Sequence, residues 1–363
     1  MSFFKNIFGN KEEPIKSYGD FWNWFQKNEN AFYKVVKEKG DIEKGFFDKV
    51  SPKLNRLKDG MLLLTGMFDK NTVELVITAD GAIKDIPFIE ELIAAAPNIS
   101  GWKFTALKPA MDNAGVIKMG SYQYSADNIY FYSNEHADKP DEIDITVVYD
   151  DFNDEDKTTI TNGVFIFLDN FLGELNFATT IDTVNVIGKS DAQKELIKIE
   201  KLKDFLVWRE KEFIEKYEGV RHNTGNDNYS ALEATLENGK PLVAIINSDL
   251  LAWDSKASHP WILNIEIKYN GENNNGMPDN TVYKLMDKIE DEILLALKDH
   301  DGYLNIGRQT ADGVREIYFA CKDFRKPSLV LHDIKTKYAS KIDIGYDIYK
   351  DKYWTSFERF IGN

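Results

Sequence analysis

The sequence predicts an α+β protein with two domains, and three observations support that class. The chain has 363 residues, more than one ordinary domain needs, and 43% of them are hydrophobic, which is enough for folded cores. Segments with alternating apolar residues are interspersed with segments whose apolar residues recur every three or four positions. The clearest local signal lies at residues 303–321, where two alternating segments flank Asp312-Gly313, a dipeptide typical of hairpin turns.

The first predicted domain covers residues 1–190. A helix is expected at residues 20–39, because an aromatic stripe falls on one face and Asp20 suits an N-cap. The other expected elements are helices after Asp41, at 86–96 and after Asp156, and strands at 61–68, 73–78, 102–107, 120–124, 129–132, 143–149 and 184–187. Six of these elements can be read in the order strand, helix, strand, strand, helix, strand, with an inserted hairpin. We therefore expect an α+β sandwich related to the second domain.

The second predicted domain covers residues 191–363 and opens with a linker helix. Ser190 and Gln193 match a capping box, which indicates one long charged helix continuing to Tyr217. The elements expected after it are a hairpin at 232–246, a strand at 261–269, a helix at 282–297, the hairpin at 303–321, a helix at 327–338 and a strand at 342–348. From residue 261 onward the order is βαββαβ, which is that of the ferredoxin-like fold, here preceded by an extra hairpin.

That fold predicts which side chains face the helices. Its two helices cover one face of a sheet in which the strands from Trp261 and Val314 are central. Alternation places Leu304 toward the helices and puts Tyr303 and Tyr318 on the opposite face. We expect the opposite face to meet protein, either the hairpin at 232–246, the first domain or a basic external partner, and we favour an internal cover.

Composition limits the chemistry. The net charge is −15 and no long basic run occurs, so we expect no nucleic-acid partner. No apolar stretch is long enough for a membrane span or a signal peptide, which predicts a cytoplasmic protein without a membrane partner. Cys321 is the single cysteine, and its strand position predicts a buried side chain. The five histidines are expected apart, in loops or on helix surfaces, so we predict no metal site and no cofactor.

The candidates for a binding surface are Tyr303, Arg308, Arg315, Tyr318 and Trp354. The two arginines flank the hairpin turn and could hold a carboxylate or phosphate, although we favour a cross-strand ion pair, for instance with Glu316 or Asp312. The two tyrosines offer aromatic surface on the sheet face. Trp354 suits either an interface anchor or packing of the C-terminal tail onto the domain. No nucleophile, phosphate-loop or dinucleotide motif occurs, so no catalytic residue is assigned.

The second half also resembles a known family. The residues that carry the resemblance are the strand at 261–269, the stretches Asn305-Ile-Gly-Arg308 and Gly313-Val-Arg-Glu-Ile-Tyr-Phe319, and Tyr353-Trp354. The segment from about Leu232 to Phe360 resembles a bacterial family of unknown function. That family is similar to the regulator of ribonuclease E activity, type B, an inhibitor that acts by protein contact on a ferredoxin-like fold. The resemblance implies this fold and a bacterial cytoplasmic setting, but not ribonuclease inhibition.

Two classes of function remain from the sequence. The first is a non-catalytic binding or regulatory protein, of inhibitor or immunity type, that contacts a basic protein partner. The second is a hydrolase-like enzyme that uses Asp, Glu and Arg residues in a cleft between the halves. The absence of a nucleophile motif favours the first class, whereas a deep pocket with carboxylates of raised pKa would favour the second. The sequence leaves the oligomeric state open.

Overall fold

A computed structural model describes residues 14–111 and 115–361 of the chain. The described chain is mixed α and β, with several small sheets. It divides into two compact units, Met1–Pro109 and Ala110–Asn363. The boundary expected after residue 190 lies inside the second unit, and independent folding of residues 191–363 stays a prediction. The N-terminal stretch, in which no signal peptide is expected, lies outside the described residues up to position 13.

The first unit is a three-stranded sheet with its helices. Its elements are α1 Tyr18–Lys37, α2 Asp48–Leu54, β1 Leu62–Met67, β2 Val73–Thr78, α3 Ile86–Ala94 and β3 Trp102–Ala106. Strand β2 is central, pairing antiparallel with β1 and parallel with β3. The aromatic stripe of α1 forms the core, since the ring of Phe25 lies 5.0 Å from that of Trp102. The N-cap is Ser17 rather than Asp20, because the Ser17 hydroxyl accepts a hydrogen bond from the Asp20 backbone N–H.

The second unit begins with a four-stranded sheet. Its elements are β4 Ile117–Met119, β5 Tyr122–Tyr124, β6 Ile129–Asn134, β7 Asp144–Tyr149, α4 Lys157–Leu172, α5 Glu174–Thr180, β8 Thr183–Gly188, β9 Ile197–Lys198 and α6 Leu202–Tyr217. The order of this sheet is β8-β7-β6-β9, and β4 and β5 form a separate two-stranded sheet. The expected long helix from Ser190 is wrong, because β9 pairs with β6 and α6 starts only at Leu202.

The expected repeat of the second domain within residues 1–190 is also wrong. Its strands fall into separate sheets in the two units instead of one four-stranded sheet. The physical reason is that β2 and β3 pair directly with each other in parallel, as do β7 and β8. A helix crossover between adjacent parallel strands leaves no place for an intervening strand.

The chain ends in a six-stranded sheet. Its elements are β10 Tyr229–Thr235, β11 Pro241–Asn247, α7 Ser248–Leu251, β12 Trp261–Lys268, α8 Asn280–Ala296, β13 Tyr303–Ala311, β14 Val314–Cys321, α9 Arg325–Tyr338 and β15 Asp343–Lys350. The order is β10-β11-β13-β14-β12-β15, so β12 and β14 are neighbours as predicted. The hairpin at Asp312-Gly313 is confirmed, and positive φ angles of 43° and 82° at these residues fit a type I′ turn.

The predicted facing of β13 is wrong by one residue. Tyr303 pairs with Cys321 on the helix-covered face, whereas Leu304 pairs with Ala320 on the opposite face. A bulge between Asn305 and Gly307 then restores the pattern, so that Arg308 again points toward the helices. Period-two alternation alone cannot fix this phase, because apolar side chains occupy both faces of the strand.

The opposite sheet face is buried by the C-terminal segment of the same chain. Trp354 and Phe357 pack against Tyr318 and the neighbouring strands in one apolar cluster. Arg359 donates a hydrogen bond to the Tyr318 hydroxyl at 3.1 Å. The Tyr318 side of the sheet is therefore covered internally, as favoured from the sequence, but the cover is the C-terminal segment and not one of the segments named there.

Candidate functional site

The two candidate arginines lie together in an ion-pair network under α8. Arg308 contacts Glu290 at 2.7 Å, and Arg315 contacts Asp287 at 2.8 Å. The Arg315 side chain is only 1% exposed, and its Nε–H donates to Thr310. Burial raises the pKa of Glu290, while both arginines oppose that shift. Both arginines form ion pairs, but the expected cross-strand pairing with Glu316 or Asp312 is wrong, because their partners lie on helix α8.

The three aromatic candidates are buried. Tyr303 is 7% exposed, and burial raises its pKa to about 12. Tyr318 and Trp354 are each 2% exposed, and the indole N–H of Trp354 donates to the backbone carbonyl of His259 at 2.9 Å. The structure brings Tyr318 and Trp354 into one core and leaves Tyr303 on the other face of the sheet. A binding role for these residues stays a prediction.

An exposed apolar surface lies instead on α6. Val207, Trp208 and Ile214 are 66%, 52% and 58% exposed, and we call these three side chains the α6 face. The helix is held by its other residues, because Leu202 and Leu206 are buried and the ring of Phe205 lies 5.9 Å from that of Phe131 on β6. The sequence contains a signal for this surface, because Val207, Trp208 and Ile214 are apolar but lie apart from the buried positions Leu202 and Leu206 around the helix.

The C-terminal end of α6 is fixed by Asp141. Lys216 lies 2.8 Å from its carboxylate, and the hydroxyls of Tyr217 and Tyr353 each donate to Asp141 Oδ2 at 2.8 Å. Although burial opposes it, these hydrogen bonds hold the pKa of Asp141 below its usual range. Because Tyr353 follows β15, this carboxylate joins α6 to the six-stranded part of the unit.

An acidic cleft borders α6 on one side. Its volume is about 510 Å³, and its charged lining residues are Glu135, His136, Glu142, Asp144, Arg209 and Glu212. His136 contacts Asp144 at 2.8 Å. The guanidinium of Arg209 is occupied by the backbone carbonyl of Pro140 at 2.6 Å and lies 3.7 Å from Glu212. Four carboxylates against one arginine and one histidine make this cleft suitable for a cationic group.

A basic cleft lies near the same helix. Its volume is about 360 Å³, and its cationic lining residues are Lys322, Arg325, Lys350 and Lys352. Apolar side chains from α6, β12 and the start of α9 complete its walls, among them Phe213, Ile214, Trp261 and Phe324. Ile214 therefore belongs both to the exposed α6 face and to the lining of this cleft.

One histidine departs from the sequence expectation, because the side chain of His259 is fully buried. The Ser258 hydroxyl donates to the Ser255 carbonyl at 2.6 Å, so its oxygen accepts from His259 Nδ1–H at 2.8 Å. His259 Nε2 then carries a lone pair without a hydrogen-bond partner. This geometry is not that of an activated serine, because the ring nitrogen that faces the hydroxyl already holds the proton.

Comparison with known proteins finds a family model that matches part of the chain. Residues 232–361 match the model of DUF695, a family of unknown function. No curated protein and no solved structure matches the chain. Within the described residues, no group of three or more His, Cys, Asp or Glu side chains could hold a metal ion. None of the helices in the described ranges has the length and apolar character needed to cross a membrane.

Proposed function

We propose that this protein is a non-catalytic binding protein that contacts a basic segment of another protein through the α6 face and the acidic cleft. The observation that carries the proposal is the exposure of Val207, Trp208 and Ile214 on one helix. Exposed tryptophan and aliphatic side chains together are typical of protein interfaces. The acidic cleft beside them supplies charge complementarity for lysine or arginine side chains of the partner.

An enzyme is the weaker alternative. The raised pKa of Glu290 is the kind of perturbation that marks catalytic carboxylates, but this residue is paired with Arg308 and lines neither cleft. The contact between Ser258 and His259 does not provide a nucleophile and base. The arrangement of these groups supports stability more directly than chemistry.

We further infer a ferredoxin-like fold for residues 261–350, with β10 and β11 as an added hairpin. Support comes from the element order βαββαβ together with the spatial order β13-β14-β12-β15. Similarity to the regulator of ribonuclease E activity, type B, and a bacterial cytoplasmic setting remain part of this proposal. A buried, unpaired Cys321 is compatible with a reducing compartment.

The test uses a labelled helical peptide of lysine and leucine with one basic and one apolar face. Its controls are a peptide with glutamate in place of lysine and a scrambled peptide of equal composition. We expect the basic amphipathic peptide to bind the full chain more tightly than either control, and more weakly as salt rises. Trp208→Ala should weaken this binding by roughly tenfold or more, in the range of interface hot spots.

The matched structural control is Val207→Asp against Leu295→Asp. Both side chains are highly exposed, at 66% and 68%, so neither change should disturb folding, but Leu295 lies on α8 outside both clefts. Loss of peptide binding in Val207→Asp alone supports the proposal. Equal binding by both variants and the wild type, or equal binding of the acidic peptide, would overturn it.

A further inference from the structure

The basic cleft carries more positive charge than its own carboxylates balance. Four cationic side chains line it, whereas the acidic lining residues are Glu210 and Asp323. One further carboxylate, that of Asp182, pairs with Lys350 and Lys352. Two further charges act on these lysines, Glu142 on Lys350 and Arg221 on Lys322. Five positive charges therefore stand against four negative charges, a surplus of one in a chain whose net charge is −15. A local positive site in an acidic protein calls for a specific explanation.

Two of the cations share one partner. Lys350 lies 2.8 Å and Lys352 2.7 Å from the two oxygens of Asp182, and their side chains are only 13% and 6% exposed. Each ammonium group also donates to a backbone carbonyl, at Thr180 and Asp141 respectively. Burial lowers the pKa of Lys350 to about 8, with the like charge of Lys352 adding to the effect and Asp182 opposing it. The shared carboxylate therefore does not fully compensate this pair.

A third cation has no acidic partner. Among the described residues, no carboxylate oxygen lies within 4.0 Å of the Lys322 ammonium, which instead donates to the backbone carbonyl of Val220. Burial and the nearby charge of Arg221 both lower the pKa of Lys322. An ammonium group held in a cleft beside another cation, without a carboxylate, is poised to bind an anion.

The remaining walls indicate what the anion is attached to. Phe213, Trp261 and Phe324 bring three aromatic rings to the cleft, and Thr179 and Asn176 add neutral polar groups. A volume of about 360 Å³ lies at the lower end of the range for small-molecule sites. A single surplus charge matches a monoanion better than a phosphate dianion, which would also be repelled by the resident carboxylates.

We propose that this cleft binds a carboxylate attached to an apolar, preferably aromatic, body. The carboxylate lies against Lys322 and the Lys350 side of the cleft, and the apolar body lies against the aromatic walls. The same chemistry is presented by a free aromatic acid and by the C-terminal carboxylate of a peptide that ends in an aromatic residue. This site shares Ile214 with the α6 face but requires neither Val207 nor Trp208, so substitutions at those two residues test the α6 proposal without touching the cleft.

The experiment is calorimetric titration of the full chain at low salt with hippurate and with its neutral amide. We expect the acid to bind and the amide to bind at least roughly tenfold more weakly, because only the acid can neutralise the surplus charge. Lys322→Gln should weaken hippurate binding by roughly tenfold, because it removes a charge-assisted hydrogen bond. Lys326→Gln should change it little, because that lysine lies outside the cleft and pairs with Asp301.

A second readout separates ligand binding from a structural effect of the substitution. A bound carboxylate raises the proton affinity of Lys350, so near pH 8 binding should take up a fraction of a proton, measured in two buffers of different ionisation enthalpy. A Gly-Gly-Phe peptide with a free C-terminus, compared with its amide, tests the peptide source. Tighter binding of the peptide acid than of its amide, or of hippurate than of its amide, supports the proposal. The acid that binds more tightly of the two identifies the source of the carboxylate.

Three results would overturn the assignment. One is absence of binding by hippurate and by the peptide acid at about 10 mM, where a site of even millimolar affinity would be occupied. Another is equal binding of acid and amide, which would show that charge plays no part. The third is binding of inorganic phosphate as tight as that of hippurate, with no effect of Lys322→Gln.

Discussion

Lowering the pH from 7 to about 4.5 is expected to destabilise the protein through His259. This side chain is fully buried, and burial lowers its pKa from the ordinary value of 6.5 to about 3, with the charges of Lys322, Arg221 and His222 adding to the shift. The aromatic ring of Trp253 lies 5.4 Å from the imidazole. Within the described residues, the charged groups that act on His259 are cationic, and no carboxylate would stabilise an imidazolium there. A charged His259 is therefore poorly tolerated in the folded state.

The direction in which pH changes the free energy of unfolding follows from the two pKa values of His259. The unfolded chain takes up a proton there near pH 6.5, whereas the folded protein does so only near pH 3. Between these values the unfolded state binds more protons, so the free energy of unfolding falls as the pH falls. Each pH unit below 6.5 removes about 1.4 kcal/mol from the free energy of unfolding. His259 should therefore lower the free energy of unfolding by about 3 kcal/mol at pH 4.5 and by about half that at pH 5.5.

The assay is urea unfolding of the full chain at several pH values, for wild type and His259→Asn. Asparagine keeps a donor for the Ser258 oxygen but does not titrate in this range. Carboxylates also contribute to acid sensitivity, so the informative quantity is the difference in pH dependence between the two proteins. His300→Asn is the control for removing a histidine, since the His300 side chain is 74% exposed.

We expect the stability of His259→Asn to fall less steeply with pH than that of wild type, by about one proton between pH 6 and 4. His300→Asn should follow the wild type closely. Identical slopes for wild type and His259→Asn would refute the reasoning, because they would mean that His259 is protonated in the folded protein or that water reaches it.

Three further predictions concern stability and partners. Asp182→Asn should lower the free energy of unfolding by about 3 kcal/mol, because it leaves two buried lysines of the basic cleft without their carboxylate. Asp301→Asn removes a carboxylate from an exposed pair and should cost much less, and urea unfolding compares the two variants. Gly307→Ala should cost about 3 kcal/mol in the same assay, since φ is 140° and the added methyl group would overlap the carbonyl oxygen of Ile245. Titration of labelled RNA and single-stranded DNA at low salt should show no micromolar binding, given the net charge of −15, and tight binding would contradict the charge argument.

The sequence by itself determined the local elements. The type I′ hairpin needed only Asp312-Gly313 between two alternating segments, because that dipeptide accepts the positive φ angles of the turn. Helices α1 and α8 followed from their apolar stripes, and the order of elements after residue 261 was correct. These features depend on neighbours a few positions away, which is the range over which periodicity and turn chemistry act.

The facing of β13 and the start of α6 depended on partners far along the chain. A bulge at Ile306 shifts the phase of β13, and the partner strand decides where it occurs. The segment before Leu202 pairs with β6 instead of continuing a helix, although a capping box is present at Ser190. In both cases the hydrogen bonds to a partner strand outweighed the local pattern, because they satisfy backbone groups whose partners the sequence pattern cannot show.

The candidate sites were decided only by the tertiary structure. Arg209 reaches a carbonyl 69 positions away to form one wall of the acidic cleft, and Lys352 reaches Asp182 across 170 positions. No spacing rule connects residues so far apart, because the cost of closing the intervening loop is recovered by the whole core and not by the pair. The five residues singled out from the sequence are polar or aromatic types common at binding sites, but the same types also form buried ion pairs and cores. Burial separates these two roles, and burial is a property of the folded chain.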